Sequence, residues 1–338
     1  MNRFDLILTD AANSVGRQVK SSLERLGLRI AICDPFGEGA DFKTFHSQDT
    51  ENFVGQISGI VAATGASALI PVFHPEVLSS HRNRFPGVLM PVEDASKLVL
   101  LDDKVQACNL AESLGISQPR RYASVEEVEN YPVVFKRSCG HGGDSVYFPK
   151  ARGPLENLVS NSRPGKYLIE ECLEGEDVSV MALRWHTPDG VVFIAGAYRT
   201  LLPRAKAASI VRESIDAPDL VASFRKMLDR IDYNGVCGAD FMVNEDGAFF
   251  LECNPRFCGG LDTMLASGLD FPAMLWTFAS GSVPLQTYDA SPILSLPEYR
   301  SGIVTALPDE LEEYLSVRRR KGILTEEDER IAVLIDCL

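Results

Sequence analysis

Residues 4–9 form a short apolar run, and that pattern predicts a buried strand. Apolar positions at helical spacing follow over 15–26 and stop at Gly27, and a second apolar run over 28–33 ends at Asp34-Pro35. Strand, helix and strand in this order open a parallel sheet. A further helical pattern at 51–63 leads to a strand at 68–73, so alternation continues to about residue 100. Asp102-Asp103 then begins a helix in which Val105, Cys108, Ala111 and Leu114 recur at helical spacing until Gly115. From Tyr131 the texture changes to short β runs at 133–136, 145–148, 167–170, 178–183 and 191–197. These predict a small antiparallel lobe joined to a larger sheet. A helix at 219–231 precedes strands at 235–243 and 248–253, and another helix is expected over 261–280. The expected class is α/β with an α+β portion, without internal repeats or low-complexity linkers.

Composition narrows the functions this pattern can serve. A chain of 338 residues with 45% hydrophobic content buries a sizeable core in two or three lobes. A formal charge of -14 argues against a broad grip on nucleic acid or an anionic membrane, which need clustered Lys and Arg. The run Arg318-Arg319-Arg320-Lys321 reads as solvated surface. No apolar run approaches the roughly 20 residues of a membrane span, and the first residues reach Asp5 without a signal-peptide pattern, so a cytoplasmic protein is expected. The 8 cysteines include no C-x-x-C pair and read as reduced, partly buried small hydrophobes.

The strongest chemical pattern runs from Gly238 to Arg256. A three-residue loop Glu245-Asp246-Gly247 sets Asn244 against Ala248, and counting outward places Asp240 opposite Glu252. Asn254 then shares their face, while Phe241, Val243, Phe249 and Leu251 turn into a core. Two close carboxylates with an amide oxygen suit Mg²⁺ or Mn²⁺. The alternative is a surface hairpin with solvated acids. Arg256 adds a fixed positive charge for phosphate or carboxylate oxygens, or else makes a surface salt bridge.

Upstream, Lys136 ends a β run and precedes a glycine-rich stretch, Ser138 to Ser145, containing Gly140, Gly142 and Gly143. Such glycines let backbone N–H groups approach phosphate oxygens, although a glycine-rich turn has the same composition. There is no G-x-x-x-x-G-K-[ST] motif, and Asp10 to Gly16 keeps only one glycine of a dinucleotide fingerprint. Residues 167–177 pass from apolar to acidic, the texture of an extended connection that can offer backbone groups to a nucleobase edge or of an exposed acidic turn. His74-Pro75-Glu76 marks a place where the N-terminal lobe can meet substrate.

Taken in order, Lys104, Lys136 with its glycine loop, 170–177, Asp240 and Glu252-x-Asn254-Pro255-Arg256 resemble the ATP-grasp superfamily over roughly residues 1–290. The style is that of the carbamoyl-phosphate synthase and biotin carboxylase branch and of its amino-acid ligases. The resemblance implies a Rossmann-like pre-ATP-grasp domain at 1–100, a small lid lobe with a connecting helix at 101–175, a large lobe with the metal site at 176–290, and a C-terminal extension at 291–338. It further implies that Lys104, Lys136, Ser138, Gly140, Gly142, Gly143 and Ser145 hold the phosphates of ATP. Glu170, Glu171 and Leu173 form the adenine hinge, with backbone groups of Glu171 and Leu173 reading the base, and Asp177 meets the ribose. Asp240, Glu252 and Asn254 ligate Mg²⁺ or Mn²⁺, while Arg256, Lys136 and Arg212 serve the transferred group. Gly259 and Gly260 leave room for a substrate carboxylate, and Arg204 is a further candidate contact unless it only solvates a strand edge.

The implied reaction joins a small carboxylate, such as an amino acid or small peptide, to an amine through an acyl phosphate, and this class is compatible with a homodimer. After Arg256 comes Phe257-Cys258-Gly259-Gly260, not the V-E-H continuation of biotin carboxylases, which disfavours carboxylation; the sequence shows no second synthase half or glutaminase domain, which disfavours carbamoyl-phosphate synthesis, and both stand as alternatives to the ligase. Two other classes stand beside the ligase: a non-catalytic ATP-binding regulator, and a nicotinamide oxidoreductase, against which the missing glycines argue.

Overall fold

The computed structural model describes residues 4–140, 143–203, 209–281, 299–321 and 325. Its first layer contains β1 (Leu6–Thr9), α1 (Ser14–Glu24), β2 (Ile30–Asp34), β3 (Phe42–Lys43), α2 (Thr50–Thr64) and β4 (Ala68–Pro71). The four strands are parallel in the order β3-β2-β1-β4. Leu6 and Leu8 pack with Val15, Val19 and Leu23 of α1, while Ile7 and Leu69 pack with Phe53, Val54 and Ile57 of α2. Burial on both faces explains why these strands are continuous apolar runs rather than alternating ones. The lone glycine of the first turn has a packing role, because a Cβ on Gly16 would lie 2.1 Å from the Ala11 carbonyl oxygen.

Helices α3 (Pro75–Ser79), α4 (Ala95–Asp102) and α5 (Lys104–Ser113) follow. The helix expected to start at Asp102-Asp103 begins one residue later. Asp103 caps α5 by accepting from Val105 N–H at 3.0 Å and Gln106 N–H at 3.2 Å. Strands β5 (Val133–Arg137) and β6 (Val146–Tyr147), helix α6 (Arg152–Ser160) and strand β7 (Tyr167–Glu171) form the small lobe, an antiparallel sheet ordered β6-β5-β7.

The large sheet gathers β8 (Glu176–Thr187), β9 (Gly190–Leu202) and β10 (Val211–Ile215), then, after α7 (Pro218–Arg230), β11 (Gly235–Asn244) and β12 (Gly247–Asn254). The helix expected over 261–280 is two helices, α8 (Leu261–Ala266) and α9 (Phe271–Ser280), and Asp270 caps the second by accepting from Ala273 N–H at 3.1 Å. Strand β13 (Val304–Ala306) and helix α10 (Pro308–Lys321) follow. The antiparallel order is β12-β11-β8-β9-β10-β13. Phe224, Met227 and Leu228 of α7 pack on Val178, Ala182, Ala239 and Phe241, while Met181 and Leu183 meet α8 and α9 in a core continuous with α1. Among the described residues no helix is long and apolar enough to cross a membrane.

Candidate active site

The site starts from one row of directly opposed residues across four strands: Glu252 on β12, Asp240 on β11, Ser179 on β8 and Tyr198 on β9. Opposed residues share a face, so this row is the floor of a cleft. The expected Asp240–Glu252 pairing is present, but its route differs from the count. The turn holds two residues, with Asn244 paired to Gly247, and a bulge between Asp240 and Phe241 restores the pairing. The extra residue also reverses part of the alternation. Phe250 joins Phe241 in the core with ring centroids 5.8 Å apart, whereas Leu251, expected inside, lines the cleft.

Ser179 Oγ donates to Asp240 Oδ1 at 2.6 Å, and Asn254 Nδ2 donates to Asp240 Oδ2 at 3.1 Å. Burial, and then the Glu252 charge, push the Asp240 carboxyl up to about 7. Asn254 Oδ1 accepts from Arg256 Nη2 at 2.9 Å. The expected metal ligands are therefore two opposed carboxylates and an amide, and no group of three His, Cys, Asp or Glu side chains converges among the described residues. The set still fits a hard divalent cation. Its donors are oxygens, one carboxyl is buried beside another, and a cation between them relieves that repulsion.

Both lysines are buried. Lys104 Nζ lies 3.1 Å from Glu252 Oε2 and donates to the Gly140 carbonyl at 3.0 Å. Lys136 Nζ lies 2.8 Å from Glu170 Oε2 and donates to the Leu251 carbonyl at 3.4 Å. Burial pulls Lys136 down, but the adjacent Glu170 carboxylate outweighs it and leaves the ammonium raised. Glu170, expected in the adenine hinge, is 1% exposed and is the counter-charge of Lys136. At Glu171 the N–H donates to the Arg120 carbonyl at 2.9 Å, while Arg120 N–H donates to Glu171 Oε1 at 2.7 Å. The backbone donor of Glu171 is thus spent, and the side chain, not the Glu171 carbonyl, takes the Arg120 N–H.

In the glycine-rich stretch Ser138 and Ser145 are buried, and Ser145 Oγ has no hydrogen-bond partner among the described residues. Gly140 has φ 138°, and a Cβ there would lie 2.5 Å from that of Ser145, so only glycine fits. Gly142 and Arg204 lie outside the described residues.

A cleft of about 720 Å³ brings together Lys136, Gly143, Glu170, Glu171, Leu173, Asp177, Arg212, Asp240, Glu252, Asn254, Arg256 and Gly259. Lys104, Ser138, Gly140 and Ser145 are not among its lining residues. Asp177 opens to the cleft, where the surrounding protein and then the Glu252 charge push its carboxyl up. Arg212 is 1% exposed: Nε donates to Ser209 Oγ at 2.8 Å, Nη1 to Asp262 Oδ1 at 3.1 Å, and Nη2 to the Ser209 carbonyl. These bonds hold it in the cleft wall. Arg256 differs. Its guanidinium stacks 4.5 Å over the Phe73 ring, and Nε has no partner among the described residues. Gly260 accommodates Tyr198, whose ring carbons lie 2.2 Å from where a Cβ would sit. Burial pushes the Cys258 thiol up to about 12, against a thiolate role.

Sequence reasoning missed Ser179, Tyr198 and Phe73, as well as Asn13 and Ser14, which bring the start of α1 to the cleft. Only Asn13 carried a local signal, as the cap of α1 that accepts from Gly16 N–H at 2.9 Å.

Residues 101–260 match the family described as the ATP-grasp domain. Over 160 residues the chain is 25% identical to the D-alanine–D-alanine ligase of Fusobacterium nucleatum, covering 45% of this chain and 55% of that protein. The chain thus spans about half the length of the curated relative it matches. Among solved structures, biotin carboxylase from Campylobacter jejuni aligns with TM-score 0.67 at 16% identity, over 84% of this chain and 73% of that one. The L-amino acid ligase from Bacillus licheniformis aligns with TM-score 0.65 at 13% identity, over 87% and 78%. At such identities the structural likeness shows the fold.

Proposed function

With residues 101–260 forming an ATP-grasp domain as the premise, we propose that the chain is an ATP-dependent carboxylate–amine ligase acting on an amino acid or small peptide. One observation carries this reading: a single cleft unites a buried lysine, a carboxylate pair suited to a divalent cation, and an arginine with unspent hydrogen-bonding capacity. Val134, Phe148, Met242 and Leu251 supply apolar surface for an adenine ring. With Glu171 N–H occupied, its carbonyl and the backbone of Leu173 are the groups left to read the base edge.

Asp240, Glu252 and Asn254 would hold a Mg²⁺ ion, which would neutralise charge on the phosphates. Lys136 and Lys104 add fixed positive charge where the leaving ADP accumulates negative charge. Arg256 orients the carboxylate. One of its oxygens attacks the γ-phosphorus, the bond to ADP breaks, and an acyl phosphate forms. An amine then attacks the acyl carbon, phosphate leaves with the bonding pair, the nitrogen gives up a proton, and an amide results. The closed cleft must keep water from the acyl phosphate.

The test is ADP release with Mg²⁺ and paired pools of amino acids, with product masses read in parallel, for wild type, Glu252→Gln and Lys136→Ala. The expected outcome is amino-acid-dependent ADP release that either substitution removes. Unchanged ATP binding and turnover in both variants overturns the site. ATP binding without ADP release for any pair favours the non-catalytic alternative, and release that depends on bicarbonate alone favours a carboxylase.

A further inference from the structure

We propose that Lys104 is an internal placeholder for the divalent cation, occupying Glu252 until metal and nucleotide arrive together; this rests on the proposed metal role of the Asp240–Glu252 pair. Lys104 is fixed at the start of α5. Its backbone N–H donates to the Ser138 carbonyl at 2.8 Å, and its neighbour Asp103 both caps the helix and pairs with Lys166 at 2.9 Å. From that anchored base the ammonium reaches two partners at once, Glu252 Oε2 at 3.1 Å and the Gly140 carbonyl at 3.0 Å. One side chain therefore ties the glycine-rich stretch to the metal-facing carboxylate.

A bound cation competes with Lys104 for the Glu252 carboxylate. A divalent ion on Asp240 and Glu252 takes carboxylate oxygens at about 2.0–2.6 Å. An ammonium retained on the same carboxylate then faces a like charge at short range. Lys104 is 4% exposed, so losing Glu252 would leave a buried ammonium supported only by a carbonyl. Phosphate oxygens are the compensating partner. Without nucleotide, the cation must displace a well-placed ion pair. With nucleotide, the displaced ammonium has somewhere to go. Binding of each ligand thus favours the other. Lys136 does not share this role: its ion pair is with Glu170 at 2.8 Å, and Glu252 acts on it only as a more distant charge.

The experiment titrates Mn²⁺ into wild type, Lys104→Met and Lys104→Arg, alone and with a non-hydrolysable ATP analogue, and reads free Mn²⁺ by electron paramagnetic resonance. Without nucleotide, Lys104→Met is expected to bind Mn²⁺ on the order of 10-fold tighter than wild type, with most of the gain conferred by the analogue lost. Lys104→Arg retains the charge and is expected to bind no tighter than wild type. Equal nucleotide-free affinities for wild type and a folded Lys104→Met, with both binding Mn²⁺ beside the analogue, overturn the placeholder and leave the metal site intact. If no variant binds Mn²⁺ even with the analogue, the metal reading itself falls.

Discussion

Asp10 and Asp240 are two carboxyls that burial pushes up to the same value, about 7, in two different sheets. Asp240 sits in the antiparallel sheet with each oxygen hydrogen-bonded, one to Ser179 and one to Asn254, and it lines the cleft opposite Glu252. Asp10 ends a parallel strand with φ 50°, beside His74, which also has φ 50°, and its Oδ2 has no partner among the described residues. A raised carboxyl is therefore not in itself a site. The bonds that hold the oxygens toward open space make Asp240 a receptor. Asp10 carries a similar desolvation penalty without that arrangement.

The sharpest way to break the comparison is to neutralise each acid. Asp240→Asn is expected to lower Mg²⁺-dependent ADP release by on the order of 100-fold or more, whereas Asp10→Asn, whose new side chain tolerates positive φ, stays within about 3-fold of wild type. Similar losses in a steady-state assay would erase the distinction. Ser179→Ala removes the bond that orients Asp240 and should weaken Mn²⁺ affinity by about 10-fold, measured by titration beside nucleotide. No change would mean that Asn254 alone orients the carboxylate.

Stability tests the other acid. Because the folded carboxyl of Asp10 titrates above its ordinary range, its contribution is fully present below that range and is lost as pH rises through about 7. Melting curves of Asp10→Asn and wild type should therefore diverge from pH 4 to pH 8, with the variant ending ~3 °C or more higher. A difference independent of pH would point to the backbone instead. The smallest effect belongs to Phe73→Leu, which removes the ring beneath Arg256 and should raise the KM for the carboxylate by about 2–5-fold with kcat unchanged.

Much of the site was legible because its chemistry is written locally. A lysine closing a strand, glycines after it, and acid–x–amide–Pro–Arg on a hairpin are patterns that neighbouring residues complete. Ser179 was not legible, since it meets Asp240 only through the pairing of β8 with β11, 61 residues apart. The bonds that Arg212 makes to Asp262 and Ser209 were not legible either, since they depend on where α8 docks. Glu170 was assigned by its place in a motif, yet the antiparallel pairing of β5 with β7 sets it opposite Val134, on the same face as Lys136 and diagonal to it, where the two side chains pair. The parallel strands were readable from their apolar runs, whereas the positive φ of Asp10 and His74, two residue types that tolerate it, was not read from the sequence.

The hairpin count failed in its loop and yet reached the right pair, because the bulge added back the residue that the shorter turn removed. That coincidence describes an insulator. Between the tip at Glu245-Asp246 and the Asp240–Glu252 pair lies an irregular step that separates the register of the tip from that of the site. The tip is exposed, so a short peptide tag or a fluorescent label grafted there can report on the hairpin without retuning the carboxylates beneath it.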